Sequence, residues 1–366
     1  MSMKRNFGPL ARVRPAILAL SPRSKTCGEL SDAWSPAFRR QSRPRSLAHR
    51  FFCDGPPKGG APYFKLLAAS ILLAPCAFGA SVERSKDSVE CKADSTVLWR
   101  FDYGTNLAKP CFHPLAVIGS EPLTAFRPSD HRWHYGLWFA WKYINKVNYW
   151  EENKSGRSDG TTRWDAPDIA TQKNGAAKIK MNLQYSSPSN EVMMTEAREI
   201  SISAPRSDGS VTIDWSGKFT AGDEDLVLDR TPMPGEEHGA VNGGYAGFSM
   251  RAAQTPAVCE FVTTDGPVTK FESDRARPKS EAAACNVTQN SRTDGVAILS
   301  HPSNLGGDSP WYMVNSKSMH WFSPVLLAPA PKKVKAHETF TWKFRVITHK
   351  GPWTSEALRA AAAKYK

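Results

Sequence analysis

The sequence lacks the short motifs that identify several large enzyme classes. It contains no Walker-type phosphate loop, no GxGxxG dinucleotide motif and no GxSxG nucleophile elbow. After residue 80 it also lacks an apolar run of about 20 residues, the length that a membrane-spanning helix needs. These absences argue against nucleotide-binding and α/β-hydrolase activities, and they predict no transmembrane segment in the mature protein.

The body of the chain also carries little net charge. The formal charge is +13, but residues 1–80 contain 13 basic and 3 acidic residues and therefore supply +10 of it. Binding to nucleic acid requires a concentrated basic surface, and the remaining residues supply only +3. We therefore predict no nucleic-acid partner.

The N-terminal 80 residues divide into two segments outside the expected folded domain. Residues 1–64 are rich in Arg, Pro and Ser without apolar periodicity, which indicates a disordered or wrongly assigned N-terminal extension. Residues 65–80 combine one lysine, a short apolar run and the small residues Ala77 and Gly79, as in a signal peptide cleaved near residue 80. We expect a periplasmic or secreted protein with a single β-sandwich domain over residues 81–366.

Export would affect how the cysteines are interpreted. Cys91, Cys111, Cys259 and Cys285 have no CxxC spacing of the kind that binds metals. In an oxidising compartment they can form up to two disulfides with three possible connectivities, and buried free thiols are the alternative. The sequence does not distinguish these two states.

Short alternating segments dominate the chain from Ser95 onward. Lys178–Ser186 and Ser210–Lys218 both place apolar side chains at every second position, which is typical of half-buried strands. Only Ser355–Tyr365 has helical character, and Asn153–Asn174 is predicted to be a long loop. Because no βαβ rhythm occurs, we predict an all-β fold, a large antiparallel β-sandwich with a short C-terminal helix.

The segment Phe126–Glu152 is the centre of the predicted fold. It holds four of the twelve tryptophans, and Leu137–Ile144 within it is apolar on both faces, which predicts a central strand. His131 and His134 precede this strand and converge only if the turn extends past Asp130. Three interpretations remain open for the pair: a metal site, a metal-free acid–base site, or structural histidines.

Opposite charges interrupt the apolar face of a second predicted strand, Glu191–Ser203. Glu196 and Arg198 share that face with aliphatic side chains. One interpretation is a buried ion pair that its neighbours satisfy, and the other is a stretch of sheet that lines a cleft for a polar ligand.

Aromatic residues near charged residues suit a sugar ligand, because aromatic rings stack on pyranose faces while charged groups bond the hydroxyls. The candidate catalytic residues are His131, His134, Glu196, Arg198 and His301. The candidate substrate-binding residues are His113, Trp138, His238, Tyr245 and Asn304.

Several motifs occur in the order found in a known family. They are KPCFHPL (109–115), DHRWHYGLWFAW (130–141), NGGYAGFSMR (242–251), GVAILSHPSN (295–304) and ETFTWKFRVITHKG (338–351). Over about residues 90–352 the chain resembles the secreted bacterial family called "methane oxygenase PmoA". The resemblance implies a soluble supersandwich, galactose-mutarotase-like, and not the membrane methane monooxygenase subunit, since no apolar run of about 20 residues follows the predicted signal peptide.

One departure from that family bears on metal binding. The family commonly has the motif D-H-P-H-H, which begins at the aspartate. At that place this chain has Asp130-His131-Arg132-Trp133-His134, followed by Tyr135. A three-histidine metal site within this loop is therefore not expected, and no metal ligands are assigned.

These features predict a PmoA-family protein that binds or processes carbohydrate in a His/Glu/Arg site on a sheet face. The expected partner is a small-molecule or oligosaccharide ligand, and the sequence identifies no cofactor. Two alternatives remain: a metal-dependent oxidoreductase, as the family name implies, and a non-catalytic glycan-binding module.

Overall fold

The computed structural model describes residues 79–254 and 256–366. The predicted N-terminal extension lies outside the described residues, as does the predicted signal peptide up to residue 78. The first twelve strands are β1 (Ala80–Arg84), β2 (Ser88–Ala93), β3 (Thr96–Asp102), β4 (Cys111–Leu115), β5 (Leu137–Ala140), β6 (Tyr143–Ile144), β7 (Val147–Asn148), β8 (Thr161–Trp164), β9 (Asp168–Thr171), β10 (Ala177–Ser186), β11 (Val192–Ile202) and β12 (Thr212–Ala221). The next twelve are β13 (Leu226–Asp229), β14 (Gly247–Arg251), β15 (Val258–Thr263), β16 (Gly266–Pro267), β17 (Arg275–Ala276), β18 (Lys279–Ser280), β19 (Ala282–Gln289), β20 (Arg292–Ser300), β21 (Ser309–Asn315), β22 (His320–Pro324), β23 (Lys332–Val334) and β24 (Thr339–Lys350). A 3-10 turn spans Pro302–Asn304, and the helix α1 spans Ser355–Ala362.

The described strands form two ten-stranded sheets and one four-stranded sheet, all paired antiparallel. The first sheet has the order β1-β2-β3-β4-β5-β14-β22-β21-β17, and β18 also pairs with β21. The second has the order β16-β15-β19-β20-β24-β12-β11-β10-β8, with β9 beside β10. The small sheet has the order β23-β13-β6-β7. The prediction of an all-β fold of antiparallel sheets with a short C-terminal helix is confirmed.

Aromatic side chains join the two large sheets face to face. The Phe139 ring of β5 lies 5.0 Å from Trp215 of β12, centroid to centroid. Phe248 of β14 lies 4.7 Å from Phe344 of β24 in a stacked arrangement. Such pairs contribute about 0.5–1.5 kcal/mol each beyond the burial of their area. The main core therefore lies between the two large sheets, as in other β-sandwiches.

Strand β5 is buried on both faces. Leu137 and Phe139 belong to the core between the sheets, whereas Trp138 and Ala140 belong to a second apolar cluster on the outer face of the first sheet. We call the large rings of this second cluster the outer aromatic cluster; they are Tyr135, Trp138, Trp150, Tyr312 and Trp321. The prediction of a central strand is confirmed, because β5 lies between β4 and β14.

The helix α1 covers part of the outer face of the second sheet. Its buried residues Leu358 and Ala362 pack in a third apolar cluster that includes Ile347 of β24. Thr354 caps the helix, since its hydroxyl accepts a hydrogen bond from the Ala357 amide. No helix in the described part of the chain is long and apolar enough to cross a membrane.

Three sequence-based predictions about the fold need correction or completion. The predicted strand Leu137–Ile144 ends at Ala140, and β6 continues in the small sheet. The predicted loop Asn153–Asn174 contains the short edge strands β8 and β9. The sequence left open whether the four cysteines form disulfides or remain as buried free thiols. The structure shows buried free thiols at all four positions, Cys91, Cys111, Cys259 and Cys285.

Candidate functional site

A cavity of about 220 Å³ opens on the outer face of the first sheet, above the outer aromatic cluster. It is lined by His131, Trp133, His134, Trp150, Glu151, Asn242, Tyr245, Arg275, Tyr312, Val314, Met319 and Trp321. The lining combines aromatic rings with a carboxylate, an arginine, an amide and two imidazoles. A mainly apolar cleft with a few converging polar groups is the usual form of a small-molecule site.

Two successive turns bring both histidines to the cavity. The His131 amide donates to the Pro128 carbonyl at 3.1 Å, and the His134 amide donates to the His131 carbonyl at 3.0 Å. The turn therefore extends past Asp130, and the two imidazole rings stack with centroids 4.7 Å apart. The histidines converge even though their spacing would separate them on an ideal strand.

Arg251, at the end of β14, holds this loop from beneath. Its side chain is fully buried, and its Nη1 donates to His134 Nδ1 at 3.2 Å. Its Nη2 donates to Asp130 Oδ2 at 2.8 Å and to the Ser318 carbonyl at 2.8 Å. The pairing of β14 with β5 thus brings the arginine under a loop more than 100 residues earlier in the chain.

The contact with Arg251 assigns the protonation state of His134. A guanidinium can only donate, so Nδ1 of His134 must accept, and the ring proton then resides on Nε2. Burial, together with the positive charge of neighbouring His131 and Arg251, holds the pKa of His134 well below its ordinary value. His134 is therefore a neutral imidazole that presents an Nε2–H donor.

Asp130 orients the second histidine. Its Oδ2 lies 3.0 Å from His131 Nδ1, so the carboxylate accepts the Nδ1 proton and leaves His131 Nε2 available. Partial burial alone would raise the pKa of Asp130, but hydrogen bonds from Arg251 and His131 bring it below the ordinary value. An imidazole held by a carboxylate in this way can exchange protons through Nε2.

Glu151 supplies the carboxylate of the cavity. The Tyr245 hydroxyl donates to its Oε1 at 2.6 Å, and the Lys142 ammonium donates to Oε2. A quarter of the Glu151 side chain remains exposed, whereas Lys142 is almost fully buried. Burial raises the pKa of the Tyr245 hydroxyl, so this group stays a donor at neutral pH.

Aromatic rings form the walls and floor of the cavity. Tyr245 packs against Trp150 with centroids 5.4 Å apart, and Tyr312 meets Trp321 edge-on at 5.1 Å. Arg275 Nε donates to the Tyr312 hydroxyl at 3.2 Å, which positions a cation at the rim.

A buried lysine supports two of these walls. Lys109 Nζ donates to the Trp150 carbonyl at 2.9 Å and to the Trp133 carbonyl at 3.4 Å. Burial lowers the Lys109 pKa to about 8, while the charges of Glu152 and Glu151 oppose that shift. This ammonium does not line the cavity, but it holds the backbone of two residues that do.

The donor set does not fit a catalytic metal ion. His134 Nδ1 and Asp130 Oδ2 both face the Arg251 guanidinium, whose positive charge opposes a cation at that point. Within the described ranges, no group of three or more His, Cys, Asp or Glu side chains is arranged to hold a metal ion.

Three of the ten predicted site residues line the cavity. They are His131, His134 and Tyr245. A fourth, Trp138, lies one layer deeper, 5.0 Å from the His134 ring and 2% exposed, so it supports the site from behind.

Glu196 and Arg198 do not belong to the site, and this corrects the prediction that they are catalytic. Both are sealed between the sheets, with side chains 0% and 2% exposed. Arg198 donates to both carboxylate oxygens of Glu196 at 2.6 and 2.9 Å, and the Tyr185 hydroxyl donates to the same carboxylate. The interpretation as a satisfied buried ion pair is the one that the structure supports.

His301 and Asn304 are also away from the cavity. His301 Nδ1 is bonded within its own turn to Ser303, and its ring meets Tyr365 beside the helix α1. Asn304 pairs with the backbone of Lys343 in both directions, at 2.8 and 2.9 Å. Both residues hold the end of β20 against β24, so the prediction that they share one site with His131 and His134 is wrong.

The remaining two candidates, His113 and His238, do not line the cavity either. His113 is bonded to Thr124 at 2.9 Å and stacked on Phe126, and burial lowers its pKa to about 4. His238 has an 87% exposed side chain in the glycine-rich segment before Tyr245. Neither environment points to contact with a ligand in this cavity.

The prediction missed two residues of the site. They are Glu151, which is the carboxylate of the cavity, and Arg251, which orients the histidine loop. Glu151 lies inside the segment Phe126–Glu152, and Arg251 ends the motif NGGYAGFSMR, so both lay in stretches already singled out. An arginine at the end of an otherwise apolar strand was the available indication of a buried polar contact.

Comparison with known proteins identifies the family. A profile of the family of unknown function DUF6807 matches residues 88–363. The chain belongs to this family. No curated protein sequence matches the DUF6807 chain at a significant level.

Three solved structures show remote similarity to the DUF6807 chain. An alpha-galactosidase from Lactobacillus brevis has 8% sequence identity and a TM-score of 0.40, over 75% of this chain and 40% of that chain. A candidate mutarotase from Salmonella typhimurium has 10% identity and a TM-score of 0.39, over 74% and 94%. A candidate aldose 1-epimerase from Klebsiella pneumoniae has 9% identity and a TM-score of 0.36, over 78% and 86%. The DUF6807 chain spans less than half the length of the alpha-galactosidase, and at these distances the similarities carry no information on its substrate.

Proposed function

We propose that the cavity is the active site of a carbohydrate-processing enzyme that transfers protons on a single sugar ring, as in mutarotation or epimerisation. The observation that carries this proposal is that Glu151 and the His131–His134 pair face one cavity with aromatic walls. Its volume of about 220 Å³ lies below the roughly 300–1,000 Å³ of sites for drug-sized ligands, which suits one ring.

Each polar group has a role that follows from its contacts. The Glu151 carboxylate, oriented by Lys142 and Tyr245, is the base that removes the proton of the anomeric hydroxyl. A protonated His131, supported by Asp130, gives a proton to the ring oxygen as the bond from that oxygen to the anomeric carbon breaks. The product is the open-chain aldehyde.

The reverse transfers complete the cycle. After rotation of the aldehyde, Glu151 returns its proton to the new anomeric hydroxyl, and His131 recovers a proton as the ring closes. His134 stays neutral throughout, and its Nε2–H donates a hydrogen bond to a sugar oxygen. No net proton, electron or group is lost.

Aromatic walls with polar rims also suit a module that binds glycans without changing them. The two functions differ in turnover alone, so turnover is the discriminating measurement. The oxidative alternative that the family resemblance suggested gains no support from the residues, because a guanidinium is bonded to His134 Nδ1 and to Asp130.

The test is the rate of anomer exchange on a panel of monosaccharides, followed by NMR exchange spectroscopy with the purified mature protein. We expect Glu151→Gln to lower kcat by about 10²–10⁴ with little change in binding. Glu260→Gln, an exposed carboxylate on β15 of the other large sheet, is the matched control. Binding without turnover would identify a glycan-binding module, and absence of both would remove carbohydrate as the ligand.

A further inference from the structure

A second cleft adjoins the cavity. It has a volume of about 600 Å³, and its walls include Arg127, Arg132, Trp133 and Lys154. Trp133 lines both the cavity and this cleft. The two spaces are therefore neighbours that share one aromatic side chain, and an indole offers a face on which a sugar ring can stack.

The walls of this second cleft are cationic. Three of its lining residues carry positive charge, namely Arg127, Arg132 and Lys154, and the one carboxylate among them is Glu152. The Glu152 side chain is only 1% exposed and pairs with Arg127 at 3.3 Å and with Lys109 at 3.6 Å. Its charge is therefore neutralised internally, and a ligand in the cleft meets the exposed Arg132 and Lys154.

Arg127 is held in place and retains free donor capacity. Its Nη2 donates to Glu152 at 3.3 Å and its Nη1 to the Tyr135 hydroxyl at 3.2 Å, while a quarter of its side chain stays exposed. A guanidinium has five donor hydrogens, and these two long hydrogen bonds do not exhaust them. The Arg127 backbone also adopts φ +47°, a conformation that non-glycine residues seldom adopt.

We propose that this cationic cleft is a subsite for an anionic substituent on the sugar next to the one in the cavity. The shared chemistry is a carboxylate, sulfate or phosphate ester, which arginine recognises through paired, charge-assisted hydrogen bonds. The preferred ligand is then an acidic oligosaccharide rather than a neutral one. This inference rests on the proposed sugar binding in the cavity.

The test compares matched disaccharides by isothermal titration calorimetry at low ionic strength. One member contains a uronic acid, the second is its carboxyl-reduced neutral analogue, and the third carries a sulfate ester in place of the carboxylate. We expect the wild-type protein to bind an acidic member about tenfold more tightly than the neutral one. The preference should shrink as salt is added, because exposed charges are screened.

Substitutions in the second cleft test whether the preference for acidic disaccharides arises there. In the double variant Arg132→Gln/Lys154→Gln, the ratio of acidic to neutral affinity should fall close to one. The control Arg84→Gln/Lys86→Gln removes two exposed positive charges outside the cleft and should keep the wild-type ratio. The uronic acid and sulfate arms together identify which anion the cleft prefers.

Two results would overturn the subsite while leaving the sugar site intact. They are equal binding of acidic and neutral disaccharides, and an acidic preference that survives in the double variant. Absence of binding for every member, including the neutral one, would instead reject sugar binding in the cavity and the subsite with it.

Discussion

Arg251 Nη1 lies 3.2 Å from Nδ1 of His134, and this contact makes the histidine a hydrogen-bond donor to the cavity rather than a base. Because an arginine does not lose its proton, the imidazole must present its lone pair to the guanidinium. The direction of one hydrogen bond thus separates the roles of two stacked histidines.

The protonation of His134 is directly measurable. Nitrogen-15 NMR of the imidazoles should show Nε2 protonated and Nδ1 unprotonated at neutral pH, and this form should persist below the pH at which an ordinary histidine titrates, because burial and neighbouring charge keep the His134 pKa well below its ordinary value. In Arg251→Met this preference for one tautomer should weaken. A doubly protonated His134 at pH 7 in the wild-type protein would contradict the assignment.

Tyr245 is expected to position Glu151. Tyr245→Phe keeps the ring that packs on Trp150 but removes the hydrogen bond to the carboxylate, so kcat should fall about tenfold with little change in KM. Tyr245→Ala also removes the stacking surface and should raise KM in addition. Equal effects of both substitutions on KM would mean that the hydroxyl contacts the sugar itself.

Glu196 is expected to contribute to stability and not to turnover. Glu196→Leu leaves the Arg198 guanidinium buried without its partner, which should lower the free energy of unfolding by about 3–5 kcal/mol in urea denaturation. The double variant Glu196→Leu/Arg198→Met should recover much of that loss. If Glu196→Leu kept wild-type stability but lost turnover, Glu196 would have a catalytic role instead.

Buried histidines predict that the protein loses stability as the pH falls. Burial lowers the pKa of His349 to about 4 in the folded state, whereas an unfolded histidine titrates near 6.5. Below about pH 6.5, His349 binds a proton in the unfolded chain but not in the folded chain. The free energy of unfolding therefore declines towards pH 4. Between pH 7.5 and pH 5 this amounts to about 2 kcal/mol for such a residue.

His349→Gln should make that decline shallower in urea denaturation at the two pH values. His337→Gln removes an imidazole whose side chain is 73% exposed and serves as the control. An unchanged slope in His349→Gln would show that this residue is not the source of the pH dependence.

Export is tested by the N-terminus of the mature protein. We propose cleavage near residue 80, where β1 begins, because small residues follow the apolar run Leu66–Ala74. N-terminal sequencing of protein from the periplasm or medium should start within a few residues of Ser81. Recovery of an uncut chain from the cytoplasm would reject this proposal.

Strict alternation of apolar residues predicted two strands with small errors at their ends. Lys178–Ser186 became β10 with one added residue, and Ser210–Lys218 became β12, which begins two residues later and ends three residues later. Such strands bury one face, so their period of two is visible locally. The edge strands β8 and β9 and the alanine-rich β19 lack that pattern or the residue types that favour strands, so they were missed.

The site was harder to predict because its contacts join distant parts of the chain. Glu151 and Glu152 are adjacent, yet one faces the cavity and the other turns inward to Arg127 and Lys109. Nothing local distinguishes them. The Glu196–Arg198 pair shows the opposite error, because two core residues were assigned to the site. In sequence, charges on an apolar strand face look the same whether that face lines a cleft or the core.

The position of Lys109 has a consequence for engineering this cavity. One ammonium holds the carbonyl groups of Trp133 and Trp150, so the backbone at two lining residues is anchored by a residue that does not itself line the cavity. Other lining side chains can then be exchanged to suit another ligand while these two backbone contacts are kept. Replacing the lysine itself would release both contacts without changing a single lining residue.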